Sequence, residues 1–205
     1  VPCFVLGSFF SRNKLRRLND HFGLFFFSGS SKNLQKTIWF HALSFGEVVG
    51  VTPTINLLKK NRPHDRIVLS VTTDSGFEAA KRKLPDIDGL FFFPLDCFPF
   101  NWMAIKNIKP DLFVLVDTGF WPGFIHLLYL KGVPILLFNG RISSRSMRKY
   151  LVFRAFFSQL FNWFTLLCMQ NPHSRSKLES IGVDKSRLMV FGDPKFDMLS
   201  NSSQE

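Results

Sequence analysis

The chain has 205 residues, of which 46% are hydrophobic and 20% are charged, and its formal net charge is +11 at pH 7. The hydrophobic and charged fractions exclude a disordered chain, and the length allows one full hydrophobic core. A basic surface needs an acidic partner, which could be nucleic acid, anionic lipid or a phosphorylated substrate. The 26 Phe residues favour membrane contact over nucleic acid. A Phe-rich core combined with a compositional bias would explain the same numbers.

The cysteines and the apolar segments indicate which metal sites, disulfides and membrane-spanning helices the chain could contain. Cys3, Cys97 and Cys168 form no CxxC or Cys/His cluster, so the sequence predicts neither a metal site nor a disulfide framework. No apolar stretch reaches the ~20 residues that a spanning helix needs. Residues 1–10 are apolar and basic residues follow them. We interpret this run as the end of a longer apolar segment with its cytoplasmic side basic, or else as a loosely ordered arm.

The regular part of the chain begins at Thr37, after a poorly periodic segment, residues 1–36, that we interpret as membrane-proximal. From there, apolar β-branched runs alternate with helical patterns, which is typical of a parallel sheet. Strands are predicted over seven ranges: 38–42, 66–71, 90–93, 112–116, 133–138, 164–169 and 188–191. The longest predicted helix covers 144–163. The fold class is therefore α/β, with one Rossmann-like, doubly wound parallel sheet over 37–199 and a frayed tail over 200–205.

Polar residues collect in the loops that follow the predicted strands. In doubly wound sheets, ligands bind outside the carboxyl ends of the strands. We therefore predict a crevice whose substrate-binding residues are Ser44 and Gly46 after the first strand, Thr72 and Thr73 after the second, Asp117 after the fourth, Arg141 and Ser143 after the fifth, and Lys195 after the seventh.

Glu47 is the central residue of this predicted crevice. It follows the first strand and a Ser/Gly loop, where a helix begins. A carboxylate at that position suits a general base, because the helix start keeps it ionised and directed into the crevice. It also suits a purely structural role, in which the carboxylate interacts with the helix dipole, and spacing alone favours this second role. Arg141 could likewise hold a phosphate or carboxylate, or simply pair with Asp117.

Several common motifs are absent from the sequence. It contains no GxGxxG, no GxxxxGK[ST] and no GxSxG, which removes the best-known dinucleotide, nucleoside-triphosphate and hydrolase signatures. The sequence DID at 86–88 has the spacing of a metal-binding DxD, but Pro85 and Gly89 beside it favour a turn. A basic nucleic-acid-binding domain remains an alternative on charge alone. No recognition motif supports it, so we predict no nucleic-acid partner.

Four motifs occur in order along the chain: HALSFGE (41–47), DTGFWPG (117–123), NGRIS (139–143) and GDPKFD (192–197). They resemble motifs of the 3-deoxy-D-manno-octulosonic acid (Kdo) transferases of lipopolysaccharide assembly. HALSFGE (41–47) resembles H-S-V-S-V-G-E, and DTGFWPG (117–123) is similar to E-T-E-L-W-P-N. NGRIS (139–143) resembles N-A-R-L-S, and GDPKFD (192–197) resembles G-x-x-K-F-D. The basic stretch NKLRRLNDHFG (13–23) resembles the segment after that family's membrane anchor. The resemblance therefore covers nearly the whole chain.

The resemblance implies the N-terminal, acceptor-binding half of a GT-B glycosyltransferase. Its acceptor is a lipid A precursor, and its donor, CMP-Kdo, is held mainly by a second domain. Glu47 corresponds to the family's proposed base, which takes a proton from the acceptor hydroxyl as that hydroxyl attacks the anomeric carbon with inversion. No metal or cofactor is implied. The expected location is the cytoplasmic face of the inner membrane, with the protein peripheral or N-terminally anchored.

The sequence departs from the family pattern in three respects. It ends just after GDPKFD, where the donor domain is expected to begin. The first acid of E-T-E is shortened to Asp117, the second is replaced by Gly119, and Gly123 stands in place of Asn. We therefore expect no turnover by this chain alone, because a transferase must hold both substrates together. The alternative is a non-catalytic, diverged fragment of a split transferase that binds lipid or lipopolysaccharide.

Overall fold

A computed structural model describes residues 12–24 and 36–192, and within them all strands join one parallel sheet. The strand order is β3-β2-β1-β4-β5-β6-β7. The strands are β1 (Thr37–Ala42), β2 (Arg66–Val71), β3 (Gly89–Phe92), β4 (Leu112–Val116), β5 (Ile135–Gly140), β6 (Leu166–Met169) and β7 (Leu188–Val190). The predicted Rossmann-like, doubly wound sheet is confirmed, and the predicted strands agree within two residues at each end.

Helices cover both faces of this sheet. They are α1 (Arg12–His21), α2 (Phe45–Asn61), α3 (Asp74–Lys83), α4 (Phe98–Ile108), α5 (Pro122–Leu130), α6 (Ser144–Val152), α7 (Arg154–Asn162) and α8 (Pro172–Ser180), with a 3₁₀ turn over Lys185–Arg187. Within the described ranges, no helix is both long and apolar enough to cross a bilayer.

The core consists of two apolar layers, one on each face of the sheet. Val48 and Ile55 of α2 pack with Ile67 of β2 in one layer. Trp39 of β1 and Phe124 of α5 belong to the other, together with residues of α4 and α7. Because the central strands are buried on both faces, they are continuous apolar runs rather than alternating ones. This property makes them easy to predict from sequence.

The prediction of one long helix over 144–163 is wrong, because the helix breaks at Phe153. In a straight helix, Tyr150 and Phe161 would lie about 16 Å apart along the axis. The turn at Phe153 brings their ring centroids to 5.6 Å, so that both side chains enter the same core layer. The break therefore serves packing, and helical periodicity does not reveal it.

Helix α1 lies where the sequence predicted no regular structure. It packs beside β3, one of the two edge strands, through polar side chains. The Asp20 carboxylate accepts from the Phe92 N–H at 3.0 Å, and His21 Nδ1 lies 2.8 Å from the Phe93 carbonyl. Arg17 pairs with Asp74 at 2.8 Å. These contacts satisfy backbone groups along the edge of β3, which a strand would otherwise expose. The predicted membrane-proximal role of residues 1–36 stays a prediction.

Candidate active site

The strand order reverses between β1 and β4, and a cavity of about 180 Å³ opens at their carboxyl ends. This is the position at which doubly wound sheets bind ligands. The residues that line the cavity are Ser44, Gly46, Glu47, Gly50, Val116, Asp117, Phe138 and Asn139. Four predicted site residues therefore meet in one cavity. A larger cavity of about 320 Å³ lies between α3 and β3, but it contains none of these residues.

Glu47 is held over the first turn of α2 by two hydrogen bonds. The backbone N–H of Leu43 donates to Glu47 Oε2 at 2.6 Å, and the Ser44 hydroxyl donates to Oε1 at 3.3 Å. Ser44 is the N-cap of α2, so the carboxylate reaches back across the helix start much as in a capping box. Glu47 thus stabilises the start of α2 and also lines the cavity, so its structural role does not exclude a role in binding or catalysis.

The electrostatic setting of Glu47 suits a general base. Burial raises its pKa from 4.5 to about 7, while the hydrogen bond from the Leu43 N–H opposes that change and the nearby charge of Asp117 adds to it. The expectation that the helix start keeps this carboxyl ionised is therefore wrong, because desolvation outweighs it. A carboxylate with a pKa near neutrality is a stronger base than an exposed one, yet it is still half ionised at pH 7. The cavity therefore contains a group that can accept a proton under ordinary conditions.

Asp117 and Asn139 both have left-handed backbone conformations at adjacent strand ends, with φ of +61° and +59°. Their loops are joined by a hydrogen bond from the Asp117 N–H to the Phe138 carbonyl at 2.9 Å. Left-handed non-glycine residues carry strain that tends to occur at functional sites. Asn139 Oδ1 is also buried and has no hydrogen-bond partner in the described part of the chain. Asn139 belongs to the loop after the fifth strand of the predicted crevice, but it is not among the predicted substrate-binding residues. Asn tolerates the left-handed conformation better than most residues do.

Thr72 and Thr73 do not line the cavity but hydrogen-bond to Leu43, which in turn contacts Glu47. Their backbone N–H groups both donate to the Leu43 carbonyl, at 3.2 and 3.1 Å. The Thr73 hydroxyl also accepts from the Gly76 N–H and so caps α3. These bonds fix Leu43, whose own N–H holds Glu47. Direct contact of either threonine with a substrate stays a prediction.

Two of the remaining predicted residues, Arg141 and Ser143, do not line the cavity. The Arg141 side chain is exposed, and within the described residues no ion pair joins it to Asp117. The proposed pairing of the two is therefore not found, and Arg141 is left available for an anionic ligand. Ser143 caps α6 by accepting from the Ser146 N–H at 3.0 Å. Lys195 and most of the GDPKFD motif lie outside the described residues.

The acidic pair at 86–88 has a structural role, as the turn prediction implied. Asp88 accepts from the Ile67 N–H at 2.8 Å and pairs with Lys59 at 3.2 Å. It precedes β3 and so lies at the amino end of the sheet, opposite the cavity.

Gly119 and Gly123, the two glycines that depart from the family pattern, are explained by the side chains beside them. A Cβ at Gly123 would lie 2.7 Å from Asp96 Oδ1. That carboxylate accepts from the N–H groups of Gly123 and Phe124, at 3.1 and 2.7 Å, and so caps α5. A Cβ at Gly119 would lie only 2.5 Å from Leu43 Cδ1. In both places another side chain fills the space that a larger residue would need.

The contact between Gly119 and Leu43 predicts a specific coupling. Gly119→Ala should lower the free energy of unfolding by about 1 kcal/mol, because the end of the Leu43 side chain must move. In a Leu43→Ala protein, the same change should be neutral or stabilising, since Ala restricts the unfolded chain more than Gly does. Urea unfolding of the four proteins measures this coupling. Equal effects in both backgrounds would contradict it.

Sequence comparison identifies relatives of the chain. Residues 16–198 match the family described as 3-Deoxy-D-manno-octulosonic-acid transferase (kdotransferase). The chain is 30% identical over 203 residues to the 3-deoxy-D-manno-octulosonic acid transferase of Haemophilus influenzae, covering 98% of this chain and 47% of that protein. It is 30% identical to the protein of that name from Rickettsia prowazekii, covering 78% of this chain and 34% of that protein. The chain thus spans half or less of the length of these relatives.

Solved structures at lower identity share the fold. UDP-GlcNAc 2-epimerase from Neisseria meningitidis, bound to UDP-GlcNAc, matches 82% of this chain and 50% of its own, with a TM-score of 0.58 and 14% identity. UDP-N-acetylglucosamine 2-epimerase from Rickettsia bellii matches 82% of this chain and 48% of its own, with a TM-score of 0.59 and 11% identity. These likenesses concern the fold alone. The family match covers most of the sequence, and the chain therefore belongs to the 3-deoxy-D-manno-octulosonic-acid transferase family.

Proposed function

We propose that this chain is the acceptor-binding half of a Kdo transferase of the GT-B type. It would bind a lipid A precursor at the cytoplasmic face of the inner membrane, while a second half holds the donor, CMP-Kdo. Glu47 would take the proton from the acceptor hydroxyl as that hydroxyl attacks the anomeric carbon, and CMP would leave with inversion. The reaction as proposed uses no metal and no cofactor.

The observation that carries this proposal is the position of Glu47. It lies in the cavity at the strand-order reversal, and its pKa is raised to about 7 by burial. A base needs access to a substrate proton and a pKa near the working pH, and this residue has both. Family membership then supplies the class of reaction.

The distribution of exposed apolar side chains supports a membrane-bound acceptor. The α2–α3 face of the sheet exposes two large apolar residues, Phe45 and Leu57. Far more lie on or beside α1 and the α4–α7 layer: Leu18, Phe22, Leu24, Leu95, Phe98, Trp102, Tyr129, Leu130, Leu151, Val152, Phe153 and Phe156. Such an uneven distribution of exposed apolar side chains is consistent with contact between this side of the molecule and a membrane or another apolar partner.

The charges on this side of the molecule favour an anionic lipid as the partner. Between Thr118 and Leu178 the sequence contains no Asp or Glu, whereas its cations there are Lys131, Arg141, Arg145, Arg148, Lys149, Arg154, Arg175 and Lys177. Exposed apolar residues beside such cations suit the interface of an anionic bilayer. A lipid A precursor carries both acyl chains and phosphates, so it matches both features.

Binding of a lipid A precursor to the chain in detergent tests the proposal. We expect saturable binding that Glu47→Gln leaves within about threefold, because Gln keeps the volume of the side chain and removes only the base. Glu78→Gln, which alters an exposed carboxylate on α3, is the matched control. Absence of binding by all three proteins would contradict the proposal.

One observation favours a binding module without catalysis as the second candidate. Gly119 occupies the position at which the family motif has its second acid, and Leu43 fills the space beside it. Such a module would bind the precursor as above. It would release no CMP from CMP-Kdo even when a second half from a relative is joined to it, and this result would separate the two candidates.

A further inference from the structure

His41 is a buried polar residue next to the site that has no part in the proposed reaction. It lies on β1 with 0% of its surface exposed. Its Nε2 is 3.0 Å from Trp121 Nε1, and its Nδ1 is 3.0 Å from the Ser70 hydroxyl and 3.2 Å from the Ser70 carbonyl. An indole nitrogen only donates, so Nε2 accepts and Nδ1 carries the ring proton. The contacts thus fix the tautomer.

His41 is suited to a constant structural bond rather than to proton transfer. Burial lowers its pKa to about 3, so the ring stays neutral throughout the range in which proteins are normally folded. Its ring also packs against Phe93, with ring centroids 3.9 Å apart and the planes tilted by 31°. Phe93 in turn contacts Trp121, with ring centroids 5.2 Å apart. The result is a permanent acceptor for the Trp121 indole inside an aromatic cluster.

Trp121 ends the loop that begins at Asp117, and Asp117 faces Glu47 in the cavity. The start of this loop is held by the Asp117 N–H bond to Phe138 and by the Thr118 hydroxyl, which donates to the Arg141 carbonyl at 3.1 Å. At its end, the indole bond to His41 ties the loop to β1, the strand that leads to Glu47. The two sides of the cavity are thus connected through the core.

We propose that His41 is a positioning residue that, through Trp121, holds the 117–121 loop so that Asp117 stays beside Glu47. Among the residues that line the cavity, Glu47 and Asp117 are the charged ones, and no lining residue in the described part of the chain is basic. The negative charge of Asp117 favours the protonated form of Glu47. A loop held in place therefore maintains the basicity of Glu47.

Two variants test this proposal by removing the hydrogen bond between His41 and Trp121 while keeping an aromatic ring in place. His41→Phe keeps an aromatic ring against Phe93 and removes the acceptor. Trp121→Phe removes the donor from a partly exposed position, so it provides the same test if His41→Phe fails to fold. The readout is the titration of the Glu47 carboxyl carbon by NMR in the chain itself. The inference rests on the proposed role of Glu47. The NMR titration, however, needs neither a substrate nor Kdo transfer. A negative titration result can therefore be distinguished from a failure of the proposed function.

We expect both variants to lower the Glu47 pKa by about half a unit or more, because Asp117 moves away from it. In an Asp117→Asn background, the same variants should change that pKa by less than about a fifth of a unit, since the charge that the loop positions is gone. A general loosening of the structure would act equally in both backgrounds. An unchanged pKa in the folded variants, or an equal change in the Asp117→Asn background, would overturn the proposal.

Discussion

Glu47→Gln should lower the rate of Kdo transfer by a factor of about 10² to 10⁴ once the chain is completed by a second half. This is the usual contribution of a general base. The glutamine can still accept from the Leu43 N–H, so the fold of the loop should be kept while the proton acceptor is lost. Joining the chain to the second half of its Haemophilus influenzae relative, of which it matches 47%, gives a protein in which release of CMP can be measured.

The control for this experiment is Glu78→Gln in the same fusion. Glu78 is an exposed carboxylate on the neighbouring helix and does not line the cavity that contains Glu47. Its replacement should leave the rate within about twofold. If Glu47→Gln retained more than about a third of the wild-type rate, Glu47 would not be the base, and its hydrogen bonds at the start of α2 would be its main role.

The stability of the wild-type chain should fall, relative to Glu47→Gln, as the pH rises from 4.5 to above 7. The pKa of Glu47 is raised from 4.5 to about 7 on folding, so the folded state binds this proton more tightly than the unfolded state. The resulting stabilisation is complete below pH 4.5 and is lost as the pH passes the folded pKa. A difference of about 2.5 units corresponds to about 3 to 4 kcal/mol as an upper bound. Because the carboxyl is part-exposed, solvent screening makes the measured change smaller than this.

Urea unfolding of the two proteins at pH 4, 6 and 8 measures this effect, because other titrating groups cancel between them. Asp117→Asn should reduce the pH dependence, since the charge of Asp117 contributes to the raised pKa. A difference in stability that is the same at all three pH values would mean that the carboxyl of Glu47 is not desolvated in the folded chain.

The sequence was sufficient to predict the sheet and to identify the two acidic residues that the structure brings together in one cavity. Buried parallel strands are continuous apolar runs, so β1 and β4 could be located directly, and their loops gave Glu47 and Asp117. The position of the cavity then follows from the general rule for doubly wound sheets. No knowledge of side-chain packing was needed for either.

What could not be predicted depends on contacts between distant parts of the chain. The break at Phe153 is explained by the meeting of Tyr150 with Phe161, which no local pattern encodes. The bond between His41 and Trp121 joins residues 80 positions apart. Thr73 and Ser143 lie where polar loop residues were expected, yet their hydroxyl groups cap helices. Loop position identifies candidates for a site, but the hydrogen bonds decide which of them have a structural role.

The polar docking of α1 against β3 also bears on association between molecules through that edge of the sheet. Asp20 and His21 engage the backbone of Phe92 and Phe93 along that outer edge. A chain lacking this helix would present the edge to strands of other molecules, which is a common route to aggregation. Helix α1 thus protects this edge from β-pairing with other molecules. A shortened protein that begins at Lys36 should therefore be less soluble than the full chain.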